Sequence, residues 1–130
     1  MRGSSGVFNT NNTTTWDQTS DERIKKNIVD NNKGLEFINK IQVRNFEYRT
    51  EEEITDFKNP KSAVVPKSGV QIGTIAQEIE KILPELVTET SAGVKNVNTD
   101  PLVWYLINAV KELSAKNTTL ETRVATLEAA

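Results

Sequence analysis

Residues 20–28 of this 130-residue chain read SDERIKKNI and form a dense run of charged and hydroxyl side chains. Ser20 is a good N-cap, because its side-chain oxygen can accept a hydrogen bond from a free backbone N–H in the first helical turn. Asp21 and Glu22 would then place negative charge at the positive end of the helix dipole. The run therefore predicts a short helix over residues 21–30 that is capped by Ser20.

The same run places a serine five residues before a lysine, which has a chemical interpretation. A serine hydroxyl is a poor nucleophile at neutral pH and needs an adjacent base. The chain contains no histidine and no cysteine, which excludes a Ser-His-Asp triad or a Cys-His pair within one subunit and leaves the Ser-Lys pairing, here Ser20 and Lys25. The lysine must lose its proton to act, which requires partial desolvation or a nearby cation. On an ideal helix the two residues would lie about 140° apart, so contact requires Ser20 to lie outside the helical path.

Four stretches, in order, resemble the motifs of one known family. SDERIKKNI resembles the opening signature of the C-terminal intramolecular chaperone domain of phage tail spikes, tail fibres and neck appendages, the endosialidase-type or Peptidase_S74 domain. Residues 43–48 resemble its F-x-Y strand, residues 73–87 its G-x-I-A-Q-E-x-E…L-P-E-L-V segment, and residues 106–113 its L-I-x-A-x-K-E-L helix. The resemblance spans residues 20–130, although residues 98–101 replace a tyrosine-containing stretch that is usual before the last helix.

The resemblance implies a homotrimeric chaperone that folds the upstream fibre segment of its own chain and then cuts itself off. It implies a single-turnover serine endopeptidase that acts only on its own chain, with Ser20 as nucleophile, Lys25 as base and the bond between Thr19 and Ser20 as the cleavage site. Backbone N–H groups of the first helical turn are expected to stabilise the oxyanion, and Glu22 and Arg23 to orient the lysine. The implied setting is the host cytoplasm during phage assembly, with the domain released from the mature virion fibre. The alternative is a non-catalytic coiled-coil trimerisation domain in which Ser20 is only a cap.

Composition narrows the remaining classes of function. The net charge is −2 with both signs mixed along the chain, which gives no reason to expect a nucleic-acid or membrane partner. The lack of cysteine and histidine removes the commonest metal ligands, so neither a metal nor a cofactor is expected. Hydrophobic residues make up 36% of the chain, below the usual share, which suggests that partner chains supply part of the core.

The order of local patterns predicts an α+β fold with short helices and a small antiparallel sheet, followed by a long C-terminal helix that forms a trimeric coiled coil. Residues 1–19 are expected to hold an expression-vector leader and the end of the fibre segment, and residues 20–130 the chaperone domain. Between the first helix and the last, the patterns predict helices over 35–41 and 76–83, strands over 42–49 and 70–75, a long loop over 50–68, and a hairpin of residues 87–90 and 94–97.

The last predicted helix, residues 100–130, has the cleanest periodicity of the chain. Four heptads carry valine or asparagine at a positions and leucine at d positions, and the predicted seam is Val103, Leu106, Val110, Leu113, Asn117, Leu120, Val124 and Leu127. Beyond Lys116 only these positions are apolar, and so narrow a seam favours a partner helix over packing on the same domain. β-Branched residues at a with leucine at d favour two strands, whereas the resemblance implies three; we expect the trimer, because a three-fold fibre would impose it.

Overall fold

The computed structural model describes residues 18–130. The predicted leader and most of the predicted fibre segment, residues 1–17, lie outside the described residues. The chain divides into two compact units, residues 1–31 and residues 32–130. The predicted domain boundary between residues 19 and 20 stays a prediction.

The described part of the first unit, residues 18–31, has one element of secondary structure, the 3-10 turn Glu22–Ile24. The helix predicted over residues 21–30 was therefore wrong, because the chain is already extended at Lys25, with φ −108° and ψ 149°, and Asn27 takes the positive φ of 53°. A helix this short depends on packing of an apolar face. Ile24 and Ile28, which would have formed that face, are 69% and 71% exposed.

The second unit contains the rest of the predicted α+β architecture. Its three helices and four strands are α1 Leu35–Ile38, β1 Arg44–Phe46, β2 Gln71–Gly73, α2 Ala76–Glu80, β3 Val87–Glu89, β4 Lys95–Val97 and α3 Asp100–Glu128. Short 3-10 turns at Glu51–Glu53 and Pro60–Ser62 lie in the predicted loop, and a third at Pro84–Leu86 follows α2. The predicted α+β class, with short helices, antiparallel strands and a long C-terminal helix, is confirmed, and each short element is a few residues shorter than predicted. The trimeric coiled coil stays a prediction.

The strands form two separate antiparallel pairs and not one small sheet. β1 pairs with β2, with Asn45 opposite Ile72, and β3 pairs with β4, with Thr88 opposite Asn96. The second pair is the predicted hairpin, and its turn contains Gly93 at φ +84°, a conformation that glycine adopts without steric cost.

The core of the second unit is small and lies between α2, the β3–β4 hairpin and the first turns of α3. Ile79 and Leu83 are completely buried, and Leu86 and Tyr105 complete the buried cluster. Partly buried residues pack around it: Phe37, Ile38, Ile41, Ile82, Val87, Val97 and Leu102. The ion pair of Lys95 with Glu80, at 2.7 Å, connects β4 to α2.

Helix α1 is fixed to α3 by polar contacts at its N-terminus. The backbone N–H of Leu35 donates to Glu112 Oε2 at 3.2 Å, and Asn108 Nδ2 donates to the carbonyl oxygen of Lys33 at 2.9 Å. A Cβ atom at Gly34 would collide with the Glu112 carboxylate, so glycine permits this close approach. These contacts connect residues more than 70 positions apart and position the domain-facing side of α3.

Candidate functional site

Ser20 and Lys25 are in direct contact within one chain. Lys25 Nζ donates a hydrogen bond to Ser20 Oγ at 2.6 Å. The contact forms because the 3-10 turn ends at Ile24, so Lys25 leaves the helical path and its long side chain can reach back to the serine. A nucleophile and its base must lie within about 2.6–3.2 Å of each other to transfer a proton, and this pair meets that condition without a second chain.

The N-cap of the turn is Asp21, which corrects the prediction that Ser20 caps it. Asp21 has extended backbone angles, φ −69° and ψ 128°, and its Oδ1 accepts from the backbone N–H of Arg23 at 2.9 Å. Aspartate is as good an N-cap as serine, and here it lies one residue closer to the turn. The Ser20 hydroxyl is therefore not used for capping, and its described partner is Lys25 Nζ.

Arg23 and Glu22 do not hold Lys25 by their side chains. The Arg23 guanidinium binds the Asp21 carboxylate, with Nη2 at 2.7 Å from Oδ2 and Nε at 3.1 Å from Oδ1. This hydrogen bond is the main reason why the pKa of Asp21 lies below its ordinary value and that of Arg23 above it. Glu22 contributes its carbonyl oxygen, which accepts from the Lys25 backbone N–H at 3.2 Å.

The backbone N–H groups of the turn are largely committed to the turn itself. Those of Arg23, Ile24 and Lys25 donate to Asp21 Oδ1, the Asp21 carbonyl oxygen and the Glu22 carbonyl oxygen. The expectation that first-turn N–H groups stabilise an oxyanion is therefore wrong for these three groups.

The residues around the predicted cleavage site are open to solvent. Thr19, Ser20 and Lys25 are all exposed, as are the other described residues of the first unit. Water therefore has access to this segment, and hydrolysis of an ester intermediate there would require it. Within residues 18–130 no group of acidic, histidine or cysteine side chains is arranged to hold a metal ion.

The predicted seam lies on a face of α3 that the rest of its own chain leaves uncovered. The seven apolar seam residues are between 49% and 73% exposed, and Asn117 is exposed as well. Tyr105 and Ala109, at c and g positions of the same heptads, are buried against the domain. Helix α3 thus has one side that packs on the domain and one apolar side that is open.

No helix of residues 18–130 combines the length and apolar character needed to cross a bilayer.

Sequence reasoning missed two of the residues that organise these regions. Asp21 was interpreted only as a negative charge near the positive end of a helix dipole. An acid two positions before an arginine, at the start of a turn, can also accept from both the backbone N–H and the guanidinium of that arginine. Glu112 was assigned only to a family motif, and no local signal pointed to its contact with Leu35, 77 residues away.

Comparison with known proteins agrees with this geometry. The model of one protein family, Peptidase_S74, described as the chaperone of endosialidase, matches residues 20–88. The matched segment is more than half of the chain. It begins at Ser20 and includes Lys25, the whole β1–β2 pair, α2 and the start of β3. The general role of this chain is accordingly that of a chaperone, and the chain belongs to the Peptidase_S74 family, the chaperones of endosialidase.

Proposed function

We propose that this chaperone is a homotrimer that releases itself from an upstream fibre segment by cleaving the bond between Thr19 and Ser20. The observation that carries the proposal is the 2.6 Å hydrogen bond between Lys25 Nζ and Ser20 Oγ. Its main rival, a non-catalytic trimerisation domain, accounts for Ser20 as a helix cap, but Asp21 has that role. The rival therefore leaves the serine–lysine contact without an explanation.

The proposed chemistry is an intramolecular acyl transfer followed by hydrolysis. Lys25, as a neutral amine, accepts the hydroxyl proton while Ser20 Oγ attacks the carbonyl carbon of Thr19. The C–N bond breaks as the proton passes to the leaving amine of Ser20, and an ester joins the Thr19 acyl group to Ser20 Oγ. Water then hydrolyses the ester, giving a carboxylate at Thr19 and a free α-amine at Ser20. Nucleophile and scissile bond are adjacent in one chain, so proximity lowers the entropic cost.

The trimer is supported by the apolar side of α3. Exposed apolar patches of this extent are typical of interaction surfaces. In its N-terminal half the patch also includes Trp104 and Ile107, at b and e positions, which are 57% and 46% exposed. A two-stranded seam would bury a and d positions and leave this flank in water, whereas a third helix can cover it.

The biological role follows from the need to align three chains. Helices with local contacts fold quickly, whereas interchain β-structure is slow to form and prone to aggregation. A C-terminal trimer raises the effective concentration of the attached fibre segments and fixes their register. We place this step in the host cytoplasm during assembly of a phage tail spike, tail fibre or neck appendage. Cleavage afterwards makes assembly effectively irreversible, because the mature fibre has lost its chaperone.

Intact mass spectrometry of the full chain over time tests the cleavage. We expect a product that begins at Ser20, and its loss in Ser20→Ala and in Lys25→Ala. Lys26→Ala is the matched control, because it removes a neighbouring charge that has no contact with the serine, and it should be cut at nearly the wild-type rate.

Two results would contradict the proposal. Cleavage of Ser20→Ala at an unchanged rate would exclude the serine as nucleophile. Equal loss in Lys25→Ala and Lys26→Ala would mean that charge near the cut, and not a specific base, controls the reaction.

A further inference from the structure

The Asp21 side chain makes more contacts than a simple helix cap. Its Oδ1 accepts from both the backbone N–H and the Nε of Arg23, at 2.9 and 3.1 Å. Its Oδ2 accepts from Nε and Nη2 of the same residue, at 3.2 and 2.7 Å. Both carboxylate oxygens are thus bound by one arginine, in the two-pronged geometry that makes such pairs specific. The first unit has no other described ion pair.

We propose that Asp21 is a positioning residue for the cleavage reaction. Its cap on the Arg23 backbone N–H holds the turn that places Lys25 against Ser20, and its pair with the Arg23 guanidinium neutralises its own charge beside the lysine. This inference rests on the proposed function, because it assigns a role within that reaction. Neither side chain of the pair contacts the serine hydroxyl in the structure, so neither is a catalytic residue.

The positioning effect follows from the length of the segment. The path from Ser20 to Lys25, if extended, spans up to about 17 Å of backbone. It is shortened by the turn Glu22–Ile24, which is a single turn and therefore marginal without support. Two backbone hydrogen bonds and the Asp21 cap close it. Loss of the cap should open the turn and carry the lysine away from the serine.

The pair also controls charge next to the lysine. A free carboxylate near a lysine favours the charged ammonium, which cannot accept a proton. Arg23 binds both oxygens of Asp21 and so keeps that carboxylate from Lys25. The other charged side chains of the immediate segment, Glu22 and Lys26, are exposed. Among the described residues of this unit, no further secondary-structure element is present to add other charges.

Cleavage rates of the full chain, measured against pH, test both effects. Asp21→Ala should slow cleavage roughly fivefold, because the typical loss of helix stability on removal of an N-cap lowers the population of the turn by about that factor. Asp21→Asn retains an oxygen that can accept from the Arg23 N–H and should keep most of the rate. Arg23→Ala frees the carboxylate and should move the midpoint of the pH–rate curve upward by roughly half a unit, a shift kept small by screening of exposed charges. Combining Arg23→Ala with Asp21→Asn should remove that shift.

A purely structural role would lower the rate without moving the midpoint. An Asp21→Ala chain that is cut at the wild-type rate, or an Arg23→Ala chain with an unshifted midpoint, would overturn the inference. Cleavage of Ser20→Ala would instead overturn the proposed function. A readout independent of cleavage is the nuclear Overhauser effect between the β-protons of Ser20 and the ε-protons of Lys25. It should be present in wild type and Asp21→Asn and several-fold weaker in Asp21→Ala; equal intensity in all three would refute the positioning role.

Discussion

Leu120 offers the sharpest test of the proposed trimer, because it occupies a d position in the part of α3 that extends beyond the domain. Its side chain is 55% exposed in the single chain. Full burial of a leucine stabilises by about 1.5–3 kcal/mol, so covering the exposed part contributes about 0.8–1.6 kcal/mol per chain. Three chains lose this contribution together in Leu120→Ala, which amounts to about 2.5–5 kcal/mol per trimer.

This loss translates into a measurable change in assembly. At 1.4 kcal/mol per factor of ten, the association constant should fall by roughly 60- to 4,000-fold. The concentration at which half the chains are trimeric varies as the square root of that constant, so it should rise by roughly eight- to sixtyfold. Sedimentation velocity over a concentration series measures this midpoint directly, and its limiting mass also distinguishes a trimer from a dimer.

Thr122→Ala is the matched control for this measurement. Thr122 lies at an f position, and its hydroxyl donates only to the Thr118 carbonyl oxygen of its own helix. It should therefore leave the midpoint unchanged. Glu121 would be a poorer control, because it accepts a hydrogen bond from the seam residue Asn117 at 3.1 Å. If Leu120→Ala assembles as the wild type does, the C-terminal half of α3 is not a seam and the trimer reasoning fails.

Two further predictions concern the fold of the second unit. Glu112→Ala should lower the free energy of unfolding by about 1–3 kcal/mol, because the partly buried N–H of Leu35 loses its acceptor; chemical denaturation measures this, with exposed Lys111→Ala expected to be neutral. The pKa of Glu78 lies below its ordinary value of 4.5, mainly because of the hydrogen bond from Arg44. A lowered folded pKa adds stability above the unfolded value that is lost as pH falls through the folded value. The melting temperature should accordingly decline below about pH 4.5, and less steeply in Arg44→Ala; identical pH slopes would contradict the assignment.

The sequence predicted the elements of the second unit because their signals are local and agree with their packing. The hairpin of β3 and β4 has its glycine at the turn, Pro84 ends the segment after α2, and the heptads of α3 continue as one helix to Glu128. The division into two strand pairs was not predictable. The sequence pattern of a strand indicates which side chains lie on each of its two faces, but it does not indicate which other strand pairs with it.

The prediction of a helix over residues 21–30 was wrong, and the role of Asp21 was missed, for the same physical reason. Capping and dipole signals are local and were present, but they cannot replace an apolar surface on which Ile24 and Ile28 would pack. On a helix, residues two apart do not face each other, so a helical interpretation of this segment separates Asp21 from Arg23. In a capped 3-10 turn the same two residues form a paired contact. The Ser20–Lys25 distance likewise depends on where the turn ends, which no periodicity encodes.

The exposure of Ser20 and Lys25 bears on when the proposed reaction can occur. A lysine acts as a general base only after it has lost its proton. The pair is already within hydrogen-bond distance in the single chain, so the geometry is present before any partner arrives. What a folded fibre segment or neighbouring chain can add is exclusion of water, which favours the neutral amine. Under the proposed function, cleavage would follow assembly, because the step that buries the pair is also the step that the chaperone must complete before its release.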